Sequence, residues 1–97
     1  MIIIYQFNKD LGEFEEVEAK ENIPLFELLD SDKILLFVDI PNKKVWMWEG
    51  KNTSTRMKFI SAQEAPNIRD KHDLAFTLST VDDGDETAAF KIIVGLL

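Results

Sequence analysis

Lys33 to Lys71 reads KILLFVDIPNKKVWMWEGKNTSTRMKFISAQEAPNIRDK. Ile34-Leu35-Leu36-Phe37-Val38 is apolar at every position, and Val45-Trp46-Met47-Trp48 repeats the pattern. A strand that buries one face alternates apolar with polar residues; one without alternation buries both faces. The link between the two runs, Asp39 to Lys44, is short enough only for an antiparallel connection. The sequence therefore predicts a sheet that is at least partly antiparallel and covered by helices on both sides.

Gly50 ends the second run, and Thr53, Ser54 and Thr55 offer hydroxyls to cap a long helix. At about 100° per residue, Met57, Ile60, Ser61, Ala65 and Ile68 share one face and Phe59, Ala62, Gln63, Pro66 and Asp70 the other. The first set is small and apolar enough to lie on a sheet. Pro66 has no amide to donate and clashes with the carbonyl four residues back, which predicts a kink between Ala62 and Pro66. With the first face on the sheet, Phe59, Ala62 and Pro66 point to solvent, ringed by Gln63, Asn67 and Asp70. Such a stripe suits a partner. A shifted register would instead place Phe59 in the core.

On the N-terminal side, Ile2 to Phe7 reads as a strand, Asn8 to Gly12 as a turn, and Glu13 to Glu18 as an acidic edge strand. Pro24 suits the first turn of a short helix carrying Leu25, Phe26, Leu28 and Leu29. On the C-terminal side, Leu74 to Val81 alternates as a further strand. Asp82-Asp83-Gly84-Asp85 is a turn, with Asp85 placed to cap a last helix through Ala88, Ala89, Phe90, Ile92 and Ile93. No repeat or linker interrupts residues 1–97, which read as a single domain.

The chain has 97 residues, 45% hydrophobic and 30% charged, enough apolar content for one core. Eighteen acids against eleven basic residues give a net charge of −7, which disfavours nucleic acid and anionic membrane as partners. There is no cysteine, hence no disulfide frame, thiolate nucleophile or cysteine metal cage. The opening apolar run is too short for a secretory signal, and no segment reaches ~18 apolar residues, so a cytoplasmic, soluble protein is expected. The apolar ending Ile92 to Leu97 either packs on the sheet or pairs with a second copy to form a homo-oligomer.

Catalytic chemistry finds little support. The lone His72 reads as an exposed helix-end cation, no phosphate-binding glycine motif is present, and the serines lack a nucleophile context. Asp82, Asp83 and Asp85 would serve a carboxylate-only hydrolase if they lined one pocket, but turn chemistry accounts for them. Asp30/Asp32 and Asp82/Asp83/Asp85 do not follow EF-hand spacing. Trp46 and Trp48 alternate onto one sheet face, where core packing is expected.

The strand Ile34 to Asp39, the aromatic strand and glycine Val45-Trp46-Met47-Trp48-Glu49-Gly50, the capped long helix, and Val81-Asp82-Asp83-Gly84-Asp85-Glu86 followed by Phe90 together resemble the gelsolin-like domain. This is the module of actin-severing and capping proteins. The resemblance runs from about residue 13 to the end, and a single module is similar to the short gelsolin-related chains of Asgard archaea, which possess actin-like proteins. It implies an α+β fold with a central mixed sheet of five or six strands between one long and one short helix. It also implies a non-enzymatic module that binds an actin-family protein through its long helix and alters filament assembly. By position, the partner-binding residues are Phe59, Gln63, Pro66, Asn67 and Asp70. Calcium is the implied cofactor, with Asp32 as ligand within the module and Asp70 as ligand shared with the partner. Thr55-Arg56-Met57 stands where the resemblance places a second carboxylate. The other implied use of the fold is an interaction or scaffold module that does not bind actin, as in vesicle-coat proteins.

Overall fold

A computed structural model describes residues 1–97. The elements are β1 (Ile2–Asn8), β2 (Glu13–Val17), a single 3-10 turn (Leu25–Leu28), β3 (Ile34–Asp39), β4 (Lys44–Glu49), α1 (Thr55–His72), β5 (Thr77–Asp82) and α2 (Ala88–Val94). The five strands form one sheet in the order β2-β1-β3-β4-β5. All neighbours pair antiparallel except β4 and β5, which are parallel. β4 and β5 are joined by α1, a crossover long enough to return the chain in the same direction.

All six residues of β3 are buried, as are Val45 to Trp48 of β4, so the two apolar runs form the centre of the sheet. The register sets Leu36 opposite Met47 and Val38 opposite Val45, and these pack with Tyr5 and Phe7 on the α1 side. Leu35 faces Trp48 and Phe37 faces Trp46 on the other side, where they meet Phe90 and Val94 of α2. Phe90 stands edge-on to Phe37 at 5.5 Å and to Trp46 at 6.0 Å. The two-sided cover expected from the unbroken apolar runs is present, and both tryptophans share one face as alternation requires.

Several boundaries differ from the sequence reading. The last strand begins at Thr77 rather than Leu74, because the Asp73 carboxylate accepts the Ala75 amide and the Asp73 carbonyl accepts that of Phe76, turning the chain first. Leu74 is exposed as a result. Thr87, not Asp85, caps α2, its hydroxyl accepting from the Phe90 amide at 3.3 Å. Pro24 precedes a single 3-10 turn instead of opening an α-helix. The acidic strand β2 ends at Val17 and does lie at a sheet edge.

Gly50 fixes where α1 starts. Its amide donates to the Lys33 carbonyl at 2.9 Å, and a Cβ built on it would meet the backbone oxygens of Ser31 and Lys33, the latter at 2.6 Å. The Asp83 carboxylate gathers the same region, accepting from the Ser31 hydroxyl at 2.7 Å and the Lys51 amide at 3.0 Å. These two hydrogen bonds outweigh a small opposing effect of burial and hold the Asp83 carboxyl below its ordinary range. The end of β4, the loop before β3 and the turn after β5 are thus joined where the long helix begins.

Candidate partner-binding surface

Ser54 caps α1, accepting the Met57 amide at 3.1 Å, and the buried Thr53 hydroxyl donates to the Gly50 carbonyl at 2.6 Å. Arg69 and Lys71 occupy the last turn, where cations oppose the helix dipole favourably. Ser61, Ala65 and Ile68 are buried against the sheet, with Met57 and Ile60 packed beside them. Ser61 and Ala65 are small enough to let the helix axis approach the strands closely.

The opposite face matches the expected stripe. Phe59 is 63% exposed, which excludes the register that would have put it in the core. Ala62, Gln63, Asn67 and Asp70 are exposed with it, and Pro66 is half-buried. The helix is unbroken through Pro66. The carbonyl left without a donor by Pro66 belongs to Ala62, an exposed residue rather than a buried one. Arg69 and Asp70 form an exposed ion pair at 3.1 Å, and Asn67 reaches Glu64 at 3.5 Å.

His72 corrects the expectation of an exposed helix-end cation. It is half-buried, and its Nε2 lies 2.9 Å from the Tyr5 hydroxyl on β1. Burial, and secondarily the Glu16 carboxylate, raises the Tyr5 phenol above its ordinary value, so the hydroxyl keeps its proton. The helix is thus tied to the sheet at both ends, through Gly50 at its start and Tyr5 at its finish. A stripe held in this way loses little further freedom when a partner docks.

The two carboxylates suggested as calcium ligands, one within the module and one shared with a partner, lie in separate places. Asp32 lies in the loop before β3 and lines a shallow groove with Glu15, Lys33 and Met57. Asp70 is 13 residues beyond Met57 on α1, about 20 Å along the helix axis. No three acidic or imidazole side chains converge on a position that would hold a metal. Calcium takes six to eight oxygens, usually from several carboxylates; Asp32 shares its groove with the side-chain oxygens of Gln6, Asn8 and Glu15 and with the ammonium groups of Lys9 and Lys33. Nor do Asp82, Asp83 and Asp85 gather as a catalytic group, since Asp83 holds the loops together and none of the three lines a cavity.

The sequence reading did not foresee a groove between the β1–β2 turn and the first turns of α1, lined in part by Lys9, Arg56, Met57 and Ile60. It depends on the turn folding back beside the helix, which no local pattern announces. The apolar ending divides: Val94 is buried and Ile93 partly so, while Ile92, Leu96 and Leu97 are exposed. No helix is long and apolar enough to cross a membrane.

No protein-family model and no curated protein matches the sequence. Solved structures do. The fold is similar to that of Thorarchaeota ProGel, crystallised in complex with rabbit actin, with a TM-score of 0.80 and 21% identity over 98% of this chain and 100% of that one. It is also similar to Thorarchaeota 2DGel3 in complex with rabbit actin, with a TM-score of 0.65 and 22% identity over 92% of this chain and 43% of that one. The chain has the gelsolin-like α+β fold, with five strands in its mixed sheet.

Proposed function

We propose that this chain is a cytoplasmic, non-enzymatic module that binds an actin-family protein through the exposed face of α1 and thereby alters filament assembly. The observation that carries this reading is Phe59, 63% exposed at the head of an apolar and amide-bearing stripe on a helix fastened at both ends. Its fold is shared with two proteins crystallised with actin, which supports the choice of partner. The recognition mode is helix-in-groove: Phe59 and Pro66 enter an apolar cleft while Gln63, Asn67 and Asp70 set register at its rim. Burying a phenylalanine side chain fully stabilises by about 1.5–3 kcal/mol, enough for one anchor to dominate the interface. One helix offers one attachment surface, which fits capping, sequestration or side-binding better than severing.

Calcium enters this reading at two places: Asp32 as a ligand within the module, and Asp70, the exposed carboxylate on the stripe, completed by oxygens of the partner. The exposed Ile92, Leu96 and Leu97 are the residues through which a second copy would pair, and light scattering that finds only monomers across a wide concentration range removes that part. The competing function is a scaffold module using the same stripe for a partner other than actin. Co-sedimentation and polymerisation assays with actin separate the two. Binding that is lost in Phe59→Asp supports the leading function, and absence of binding by the unaltered chain leaves the scaffold.

A further inference from the structure

The groove between the β1–β2 turn and α1 has a volume of about 350 Å³, with Phe7, Met57 and Ile60 as its apolar residues. Lys9 and Arg56 stand among its polar ones, with Asp10 the only acid. Both walls are built before any ligand arrives. Asn8 holds the turn, its side-chain oxygen accepting from the amides of Asp10 at 3.0 Å and Leu11 at 3.1 Å, and its carbonyl accepting from Gly12 at 2.8 Å. Gly12 adopts a positive φ of 68°, and a Cβ there would lie 3.9 Å from Ile60. The turn therefore lies beside the helix, with room for a methyl group between Gly12 and Ile60.

The groove carries two cations and one acid in a chain whose net charge is −7. Neither Lys9 nor Arg56 has a carboxylate within 4.0 Å, as holds for every basic side chain except Arg69. The first turn of α1 contains no acid that could compete for Arg56. Arg56 is also three residues before Phe59, so the two are neighbours on the helix surface and the groove continues the exposed stripe. An apolar floor with two unpaired cations complements a segment that carries carboxylates next to an apolar side chain, and a guanidinium binds a carboxylate through two parallel hydrogen bonds.

We propose that the partner surface extends from the Phe59 stripe into this groove, where Lys9 and Arg56 receive an acidic segment of the same protein partner. This rests on the actin-binding reading above and adds a second recognition element to it. Charge at the rim of an interface governs association rate and salt dependence, whereas the apolar anchor governs residence. The groove supplies the first and Phe59 the second.

Actin binding is measured at low and high salt for the unaltered chain, Phe59→Asp, Lys9→Glu, Arg56→Glu and the double charge reversal, with a melting curve for each. The double reversal is expected to weaken binding about tenfold at low salt, to lose most of that deficit at high salt, and to keep the parent melting temperature. The milder Lys9→Gln/Arg56→Gln pair should fall between. If the unaltered chain binds and Phe59→Asp does not, while the charge variants bind like the parent at both salts, the groove proposal is overturned and the helix reading stands. If the unaltered chain does not bind, both fail together. Charge reversal that spares actin binding but removes adsorption to phosphatidylserine vesicles would assign the groove to a membrane and overturn the proposal as well.

Discussion

Phe59 and Ser61 stand two residues apart on α1 and face opposite ways. Ser61 is wholly buried against the sheet, its hydroxyl donating to the Lys58 carbonyl at 3.1 Å, while Phe59 is 63% exposed. The separation of about 200° around the helix accounts for this, and it divides the tasks of the element into packing and recognition.

That division predicts an inverted pattern of mutational sensitivity. Ser61→Leu forces a larger side chain into a site with no free volume and should destabilise by about 1–3 kcal/mol. Phe59→Ala removes far more volume yet should change stability by less than about 0.5 kcal/mol, because its ring has no core neighbours to lose. Urea unfolding of the two variants checks this; comparable losses in both would place Phe59 in the core.

Gly50→Ala tests the junction at which α1 begins. The added methyl would meet the backbone oxygens of Ser31 and Lys33, which cannot rotate away as a side chain could. A loss of about 1–3 kcal/mol or more is expected, together with weaker partner binding as the helix start shifts. A thermal melt indistinguishable from the parent would contradict the tight crossing.

The two tryptophans should respond unequally to phenylalanine. Trp48 donates its indole N–H to Glu86 at 2.9 Å, whereas the buried Trp46 Nε1 has no partner. Burial pushes the Glu86 carboxyl up, but hydrogen bonds from Trp48 and from the Gly84 amide outweigh it and hold the carboxyl below the usual range. Both substitutions remove similar volume, so Trp48→Phe should destabilise by about 1 kcal/mol more than Trp46→Phe. Equal losses by chemical denaturation would show that the Trp48–Glu86 bond contributes nothing net.

Glu49 and Asp82 lie directly opposite each other on β4 and β5. Burial and then the Asp82 charge raise the Glu49 carboxyl above its ordinary value of 4.5, against the lowering influence of Lys58. The folded chain therefore retains a proton that the unfolded chain has lost, so stability contributed by this group declines as pH rises from 4.5 through the raised value. Glu49→Gln, always neutral, should melt higher relative to the parent at pH 7 than at pH 4. An identical difference at both pH values would exclude the coupling.

Much of this architecture is legible in local pattern. The unbroken apolar runs at Ile34 to Val38 and Val45 to Trp48 identify central strands because only burial on both faces tolerates them. The wheel over Met57 to Asp70 separates the packed and exposed faces of α1 because helical periodicity is strict. What escaped local reading depends on the competition between near-equivalent groups or on distance in sequence. Asp85 and Thr87 are both competent caps, and the hydrogen bond from Phe90 selects the second. His72 looked solvent-facing because its partner, Tyr5, is 67 residues away. The Lys9–Arg56 groove likewise exists only once the β1–β2 turn lies beside Ile60.

The central claim is that the exposed face of α1 binds an actin-family protein, and Phe59→Asp tests it most directly. Co-sedimentation with actin, run beside a thermal melt, should show binding by the unaltered chain, loss of binding by the variant, and melting temperatures within a few degrees of each other. Retained binding by a folded Phe59→Asp variant would contradict the claim, as would failure of the unaltered chain to bind actin.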